Sequence, residues 1–336
     1  MKATFDILGM GWSLPKTEID NEFLHKEVGL RIPPRWAMSR LGISKRYSCL
    51  SKEYIVKTKN ADPVQAMIHA RANGVTPVTL GVEAARMALE RAGVKPEQVG
   101  MIVCNCDFPF DIAPGAACFI AKDLGVGNGP HMDVNTACSS FARHMKILGD
   151  TRPEAWPEYV LTIQTGCYTT RTSYASDCFD GYIWGDGAAA QVCSYKRTGV
   201  LKVEPMFFET DPRGVEDVKV DGVAHFIQDG TKVREFSIRK TVETFEAIAA
   251  AKKLYAEDVY TVTHQANSVM MESIIGHLRL PKERHIMNVR EQGNIGGAGM
   301  PSAVAQRLDS LKKGDQIVYA VIGAGLAWGG GLMEVR

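Results

Sequence analysis

The sequence predicts an α/β protein whose sheet is mixed or parallel. Three observations indicate this class: strand-like and helix-like segments alternate, helix-like segments close with glycine, and the same βαβα order occurs in both halves. The chain has 336 residues, which exceeds the usual size of a single domain. We therefore expect two similar α/β halves, residues 1–195 and 196–336, packed as one body.

In the first half, the strand-like segments are short, mostly apolar and bounded by turn residues. In chain order they are TFDILGMGWSLP, VGMIVCNCDF, HMDVNTA, YVLTIQTGC and WGDGAAAQVCSY. Two amphipathic segments, VTLGVEAARMALERAGV and AACFIAKDLGV, each carry a glycine where a helix would end, and a further helix begins at Cys138. Residues 51–78 have the least regular pattern, which predicts an added surface excursion.

The second half repeats this scheme, although we find no residue-level repeat between the halves. Helical periodicity predicts helices at SIRKTVETFEAIAAAKKLYA, VMMESIIGHLRL and PSAVAQRLDSL. Apolar runs predict strands at VYTVTHQA, QIVYAVIGAG and GGGLMEVR. The two halves are therefore expected to share an organisation rather than a sequence.

Composition excludes several classes of function. The formal net charge of +1 gives no reason to expect binding to nucleic acid or to an anionic membrane. No apolar run reaches the roughly 18 residues of a membrane helix, and the first residues lack a signal-peptide pattern, so we expect a cytoplasmic protein with reduced thiols. Cys104 and Cys106 alternate as strand positions do, which favours buried packing over a metal site.

Cys138 has a position that can change its chemistry. It lies where the segment HMDVNTA meets a helix-like segment, at a strand-to-helix elbow. The unpaired N–H groups and positive end of that helix are expected to favour the thiolate and lower the pKa of the thiol. A thiolate at the end of a buried strand is a candidate nucleophile for acyl transfer.

Two polar residues in the second half lie in similar contexts. His264 ends a strand in VTHQAN, just before a helix, and Asn294 lies in a glycine-rich loop that enters the next helix. Side chains at the carboxyl ends of strands meet in a shared crevice of an α/β fold. We therefore expect Cys138, His264 and Asn294 to form one site. Taken singly, the histidine could be a core residue and the asparagine a turn residue.

These segments resemble β-ketoacyl-acyl carrier protein synthase III, a condensing enzyme of the thiolase superfamily. Cys138 in TACSSF, His264 in HQAN and Asn294 in GNIGGAGMPSA look like the Cys-His-Asn triad of that family. Further matches span nearly the whole chain: RWAMSRLGISKRY, WGDGAAAQVC, QDGTKV and GAGLAWGGGL. The HQAN segment followed by the GN loop is the specific signal.

The resemblance implies a five-layer thiolase-like fold (αβαβα), a homodimer and a ping-pong reaction. Cys138 would take an acyl group from acyl-coenzyme A, a substrate and not a bound cofactor. His264 and Asn294 would then hold the carbonyl of a malonyl thioester, delivered on an acyl carrier protein or on coenzyme A. Decarboxylation and condensation would give a 3-ketoacyl thioester for fatty acid or polyketide biosynthesis.

The resemblance also assigns binding residues. The backbone N–H groups of Cys138 and Ala324 would form the oxyanion hole for the acyl-cysteine; the family usually has glycine at the latter position. Coenzyme A and its pantetheine arm would contact four residues: Trp36, Arg40, Arg171 and Asn267.

Three departures from the family pattern favour a specialised, non-acetyl primer. Val269 stands where an arginine commonly helps to receive the carrier protein, although a basic patch could still be formed by Arg239, Lys240, Arg279, Lys282 and Arg284. Ala113 precedes Pro114 where fatty-acid-priming enzymes often have a bulky aromatic that reaches across the dimer, and a small residue there implies a roomier acyl pocket. The third departure is the excursion at 51–78.

Three other functions compete with condensation. An acyltransferase on the same fold would pass the acyl group to a hydroxyl or amine, although it has less need of Asn294. A papain-like protease also uses Cys, His and Asn, but its Cys-Gly-Ser-Cys-Trp signature is absent. A non-catalytic partner subunit would be expected to lose the nucleophile, and Cys138 is present.

Overall fold

The structure is a computed structural model that describes residues 4–255 and 258–336. Its strands are β1 Phe5–Ser13, β2 Thr17–Asp20, β3 Lys45–Ser48, β4 Val99–Cys106, β5 Met132–Asp133, β6 Tyr159–Cys167, β7 Asp186–Ser194, β8 Leu201–Thr210, β9 Val218–Lys219, β10 Ile227–Gln228, β11 Tyr260–Thr263, β12 His285–Ile286, β13 Gln316–Gly323 and β14 Ala327–Val335. Its α-helices are α1 Asn21–Lys26, α2 Pro34–Leu41, α3 Lys52–Thr58, α4 Pro63–Ala72, α5 Pro77–Ala92, α6 Ala116–Leu124, α7 Ser140–Asp150, α8 Gly230–Lys252, α9 Ser268–Leu278, α10 Val289–Gln292 and α11 Gly299–Arg307.

Ten strands form one mixed sheet in the order β12-β11-β13-β14-β8-β1-β7-β6-β4-β5. The strands of the first half, taken inwards from its edge, run β5-β4-β6-β7-β1, and those of the second run β12-β11-β13-β14-β8. If the five strands of each half are numbered along the chain, both halves have the same spatial order, 3-2-4-5-1. The halves join where β1 and β8 pair antiparallel.

Three clusters of buried apolar side chains pack the helices against the strands and define five layers. One cluster lies between α5 and α6 and the first-half strands, and another lies between α8 and α9 and the second-half strands. The third surrounds α7 and α11, which pack against strands of both halves. This αβαβα arrangement confirms the predicted α/β class and its five layers.

The α5 helix shows why the sequence pattern was readable. Thr76 and Thr79 form a capping box, and Pro77 occupies the first turn, where its missing N–H costs nothing. Buried Leu80, Ala84 and Ala88 recur at i, i+4 spacing. Gly93 ends the helix with a φ of 64°, a left-handed conformation that glycine adopts without steric cost.

The structure differs from the predicted elements in three places. The segment HMDVNTA contains only the two-residue strand β5. The β8 strand was missed because it contains Pro205, which the sheet accommodates at a register shift opposite Gly331. The α8 helix begins at Gly230, several residues before its predicted start, because Asp229 caps it. The last residue of that predicted helix, Ala256, lies outside the described residues.

The segment 51–78 is not irregular. It forms α3 and α4, which begin at the capping residues Ser51 and Asp62. Between them, the buried side-chain amide of Asn60 donates to the carbonyl oxygens of Thr169, Thr170 and Thr172. The segment therefore fixes the turn that follows β6. No helix in the described ranges has both the length and the apolarity to cross a bilayer.

Candidate active site

A cavity of about 750 Å³ lies at the carboxyl ends of the strands. Cys138, His264 and Asn294 all line it, so the structure brings together the three residues that the sequence singled out. His264 directly follows β11, Cys138 follows β5 within a short turn, and Asn294 follows α10. The remainder of the wall is mostly apolar and includes Phe108, Trp184, Phe226, Ile322 and Leu326.

Cys138 sits in a 3₁₀ turn, Ala137–Ser139, that leads directly into α7. Ala137 has a φ of 50°, a strained value for a residue other than glycine, and its N–H donates to Oδ1 of Asn135 at 2.7 Å. The end of β13 packs against this turn, since a Cβ built on Gly323 would lie 2.6 Å from the Thr136 carbonyl oxygen. This close approach brings Ala324 to the same cavity as Cys138.

The environment of Cys138 opposes the pKa shift expected from the helix start. Burial raises the pKa of the Cys138 thiol, and the Asp107 carboxylate raises it further. The Tyr168 hydroxyl and the backbone N–H of Cys138 act in the other direction and do not outweigh burial. The prediction of a lowered pKa is therefore wrong for the resting thiol, which needs a proton acceptor before it can attack.

His264 is neutral at physiological pH. Burial lowers the pKa of its imidazole to about 4, because the charged form would lose its hydration. The backbone N–H of His264 donates to the Ala320 carbonyl of β13 at 3.1 Å, which places the residue at the end of the sheet. A neutral imidazole can donate one hydrogen bond into the cavity without carrying a proton to a carbanion.

Asn294 is oriented by its own loop. Its Oδ1 accepts from the Gly296 N–H at 3.0 Å, and its main chain bonds to Ile183 and Gly185. With the oxygen engaged, the side-chain NH₂ is the group left to donate into the cavity. His264 and Asn294 thus supply two neutral donors to one cavity.

Sequence reasoning missed Asp107 and Tyr168, which also line the cavity. Asp107 directly follows β4 and Tyr168 directly follows β6. Both are polar residues at the end of a buried strand, which is the same sequence signal that pointed to His264. The Tyr168 ring stacks on Trp184 with centroids 5.1 Å apart, and the Phe108 ring lies perpendicular to it with centroids 5.0 Å apart.

The residues predicted to bind coenzyme A are not all in the cavity. Arg40 and Asn267 line it, and Asn267 also caps α9 through Met270 N–H. Trp36 is 45% exposed; one side of its ring contacts Phe179, a cavity residue, and the Arg40 guanidinium lies 5.4 Å from its centroid. Arg171 is 2% exposed, donates to the Val223 carbonyl and does not line the cavity.

Ala113 does not line the cavity of its own chain either. It is exposed, next to Ile112, which is 93% exposed. Val269, at the position of the expected arginine, does line the cavity.

One group of side chains in the described ranges has the proximity of a metal site: Cys49, Cys167 and Asp186. All three are buried, and the carboxylate already accepts from the backbone N–H groups of Cys49 and Thr169 and from the Thr169 hydroxyl. These contacts make Asp186 a structural residue of the Gly-Asp-Gly turn. Cys104 and Cys106 are buried in β4, as predicted.

The chain is similar to known condensing enzymes over almost its full length. Residues 249–335 match the family model described as 3-oxoacyl-[acyl-carrier-protein (ACP)] synthase III C terminal. The chain is 28% identical over 339 residues to β-ketoacyl-[acyl-carrier-protein] synthase III of Rubrobacter xylanophilus, with 99% of each chain covered.

Solved structures show the same fold. The 3-oxoacyl-[acyl-carrier-protein] synthase III of Aquifex aeolicus superposes with a TM-score of 0.85 and 23% identity, covering 98% of this chain and 99% of that one. The priming β-ketosynthase of the R1128 polyketide pathway gives a TM-score of 0.83 and 23% identity, covering 100% of this chain and 97% of that one.

Fold and comparisons agree on a thiolase-like architecture. Within that fold, the chain is similar over almost its full length to β-ketoacyl-[acyl-carrier-protein] synthase III, and its C-terminal part matches the model of that family. The resemblance stated from the sequence is thereby confirmed.

Proposed function

We propose that the enzyme loads an acyl group from acyl-coenzyme A onto Cys138 and condenses it with a malonyl thioester, releasing carbon dioxide. This proposal is supported by one observation: Cys138 lines the same cavity as two neutral hydrogen-bond donors, His264 and Asn294. The first half of the chain, residues 1–195, supplies the nucleophile, and residues 196–336 supply the two donors.

In the first half-reaction, the Cys138 sulfur attacks the thioester carbonyl and coenzyme A leaves as its thiol. The tetrahedral oxyanion would accept hydrogen bonds from the backbone N–H groups of Cys138 and Ala324, which border the same cavity. The pantetheine arm would pass Asn267 and Arg40, with the nucleotide outside near Trp36. A contact from Arg171 to the nucleotide would require the loop at Val223 to move, since that loop now accepts its hydrogen bond.

In the second half-reaction, His264 and Asn294 would hold the carbonyl oxygen of the malonyl thioester. Loss of carbon dioxide leaves an enolate whose charge rests on that oxygen, and its carbon attacks the acyl-cysteine. A donor of this kind contributes about 10²–10³ in rate where one has been removed from other enzymes. Neither residue is protonated at pH 7, so neither would quench the carbanion.

The finer properties are proposals of the same kind. A primer larger than acetyl is supported by the cavity of about 750 Å³, although that volume also includes the path to the surface. A homodimer in which Ala113 borders the partner's acyl pocket is supported by the exposed apolar side chain beside it, Ile112. A carrier protein would contact the basic surface at Arg239 and Lys240, where Lys240 Nζ lies 4.4 Å from the Trp328 ring centroid.

Intact-protein mass spectrometry tests the reaction. The protein is incubated with a panel of acyl-coenzyme A thioesters and then with malonyl donors. We expect a thioester adduct that disappears as carbon dioxide and a 3-keto product form. Cys138→Ala should abolish the adduct, whereas Cys118→Ala, at an exposed cysteine, should not. If only an alcohol or amine removes the acyl group from the adduct, the proposed condensation is wrong and the protein is an acyltransferase.

A further inference from the structure

Asp107 and Tyr168 form a hydrogen-bonded pair inside the active-site cavity. The Tyr168 hydroxyl donates to Oδ2 of Asp107, and Oδ1 of Asp107 accepts from the Asn105 side chain at 2.8 Å. Asp107, Tyr168 and Cys138 all line the cavity, and the Tyr168 hydroxyl acts to lower the pKa of the Cys138 thiol against the larger effect of burial. The tyrosine hydroxyl therefore bonds the carboxylate and belongs to the cavity that also contains the thiol.

The surrounding contacts hold this arrangement rigidly. The Asn105 amide donates to Oδ1 of Asn135 at 3.0 Å as well as to Asp107, and the same Oδ1 accepts from the backbone N–H of Ala137. The carboxylate and the turn that carries Cys138 are thus joined through two asparagines, Asn105 and Asn135. On the other side, a Cβ on Gly296 would collide with the Tyr168 hydroxyl, so the loop after Asn294 is shaped to admit that ring.

Asp107 is a proton acceptor that has no cationic partner in the described residues. Burial raises the pKa of its carboxyl, and the hydrogen bonds from Asn105, Tyr168 and the Gly297 N–H partly oppose that rise. No lysine or arginine of residues 4–255 and 258–336 forms an ion pair with it. The titratable groups that face it are two residues of the cavity, Cys138 and Tyr168, and two of the strand that precedes it, Cys104 and Cys106.

We propose that Tyr168 and Asp107 relay the proton of Cys138. The thiol proton passes to the Tyr168 oxygen as the tyrosine's own proton passes to Asp107, leaving a thiolate, an intact phenol and a neutral carboxylic acid. The thiolate forms the C–S bond to the incoming acyl group, and the departing thiolate of the donor takes the proton back along the same path. When condensation later releases the Cys138 thiolate, Asp107 takes up a proton from solvent and Tyr168 passes it on to the sulfur. The role of the relay in acyl transfer rests on the proposed function. Proton transfer from the Cys138 thiol does not depend on it.

Alkylation of Cys138 by iodoacetamide tests the relay without any acyl substrate. The rate is followed on the Cys138 peptide by mass spectrometry between pH 5 and 10. In the wild type, Asp107 and Cys138 together hold one proton through the neutral pH range. The reactive form, a thiolate beside a protonated Asp107, is then a constant fraction of the protein, so its population does not change with pH. We expect a rate that falls in acid, where Asp107 protonates, and stays level through the neutral range.

Two near-isosteric variants should remove the plateau. In Asp107→Asn the thiol must ionise to solvent, so the rate should rise about tenfold per pH unit through the neutral range. Tyr168→Phe keeps the ring stack on Trp184 and should give the same slope. Asp111→Asn, an exposed aspartate four residues beyond Asp107, serves as the control and should keep the wild-type profile. Variants that retain the plateau would overturn the relay.

The wild-type profile decides the matter even if a variant fails to fold, since a tenfold rise per pH unit without a plateau would refute the proposal. Acyl loading separates the relay from the proposed function. Loss of a general base should slow loading of Asp107→Asn by about 10²–10⁴-fold. A plateau in alkylation with no loading from any acyl-coenzyme A would keep the relay and refute the proposed function. If both variants load acyl groups at the wild-type rate, the relay is refuted and the proposed function is kept.

Discussion

Gly323→Ala is expected to damage acyl loading through the backbone alone. Gly323 ends β13 against the turn that carries Cys138, and its new Cβ would lie 2.6 Å from the Thr136 carbonyl oxygen and 2.7 Å from both N and Oγ of Ser139. Cβ atoms essentially never approach within 3.0 Å of another heavy atom. Restoring an ordinary contact of 3.4 Å requires a shift of about 0.8 Å, the difference between 3.4 and 2.6 Å.

That shift separates the two sides of the predicted oxyanion hole, because Ala324 moves with β13 and Cys138 with the turn. A misplacement of about 1 Å costs about 10²-fold in rate, so we expect acyl loading to slow by that factor. Overpacking should also lower the free energy of unfolding by about 1–3 kcal/mol. The loading rate is measured by intact mass, and the stability by urea unfolding.

Gly127→Ala provides the matched control, since a Cβ at Gly127 would meet nothing within 4 Å. It should load acyl groups at the wild-type rate. If Gly323→Ala also loads at the wild-type rate, the turn yields without cost and the argument from close approach is wrong.

Three further predictions follow from buried polar groups. With a pKa of about 4 folded and 6.5 unfolded, His264 stays neutral in the native state while the unfolded chain takes up a proton, so stability is lost as pH falls from 6.5 towards 4. At pH 5 this amounts to about 2 kcal/mol, and urea unfolding of His264→Gln should show a correspondingly smaller loss between pH 7 and 5. Asn60→Ala should cost about 1–3 kcal/mol in the same assay, because three buried carbonyls lose their donor, whereas exposed Asn128→Ala should cost almost nothing. Asn294→Asp should reduce malonyl decarboxylation by about 10²–10³-fold, since a carboxylate cannot donate to an enolate oxygen; undiminished carbon dioxide release would exclude Asn294 as a donor.

Most of the fold could be predicted from the sequence because its strands are buried on both faces and its helices carry explicit ends. The α5 helix and β4 are examples, each with an unbroken apolar pattern and a clear boundary. The segment 51–78 could not, because its two short helices are stabilised from outside, by Asn60 on the β6 turn. The hydrophobic periodicity of the segment itself does not indicate such a long-range contact.

The site was predicted in position but not in electrostatics. Sequence context alone put Cys138 and His264 at strand ends and Asn294 in a loop that enters a helix, and the cavity contains all three. The sign of the Cys138 pKa shift was wrong because the helix start is a local feature, whereas burial and the Asp107 carboxylate depend on the tertiary structure. Arg171 shows the same limitation of sequence patterns. The motif context predicted a nucleotide-binding role, but the loop at Val223, distant in sequence, accepts its hydrogen bond.

The repeated topology explains why Asp107 belongs to the site. In each half the second strand of the large sheet ends one residue before a polar side chain: Asp107 follows β4, and His264 follows β11. Their backbones are equivalent too, since the Asp107 N–H donates to Thr165 of β6 and the His264 N–H donates to Ala320 of β13, the fourth strand in each half.

The third strands of the two halves lead to Cys138 and Asn294, and the fourth strands end beside Tyr168 and Ala324. The cavity is thus built twice from the same three strand ends. In the second half these ends carry neutral hydrogen-bond donors, which suit an enolate. In the first half they carry a thiol, a phenol and a carboxylate, groups that can pass a proton. This division fits both proposals, in which the first half would perform acid–base chemistry on its own nucleophile and the second half would stabilise the charge of the incoming carbanion.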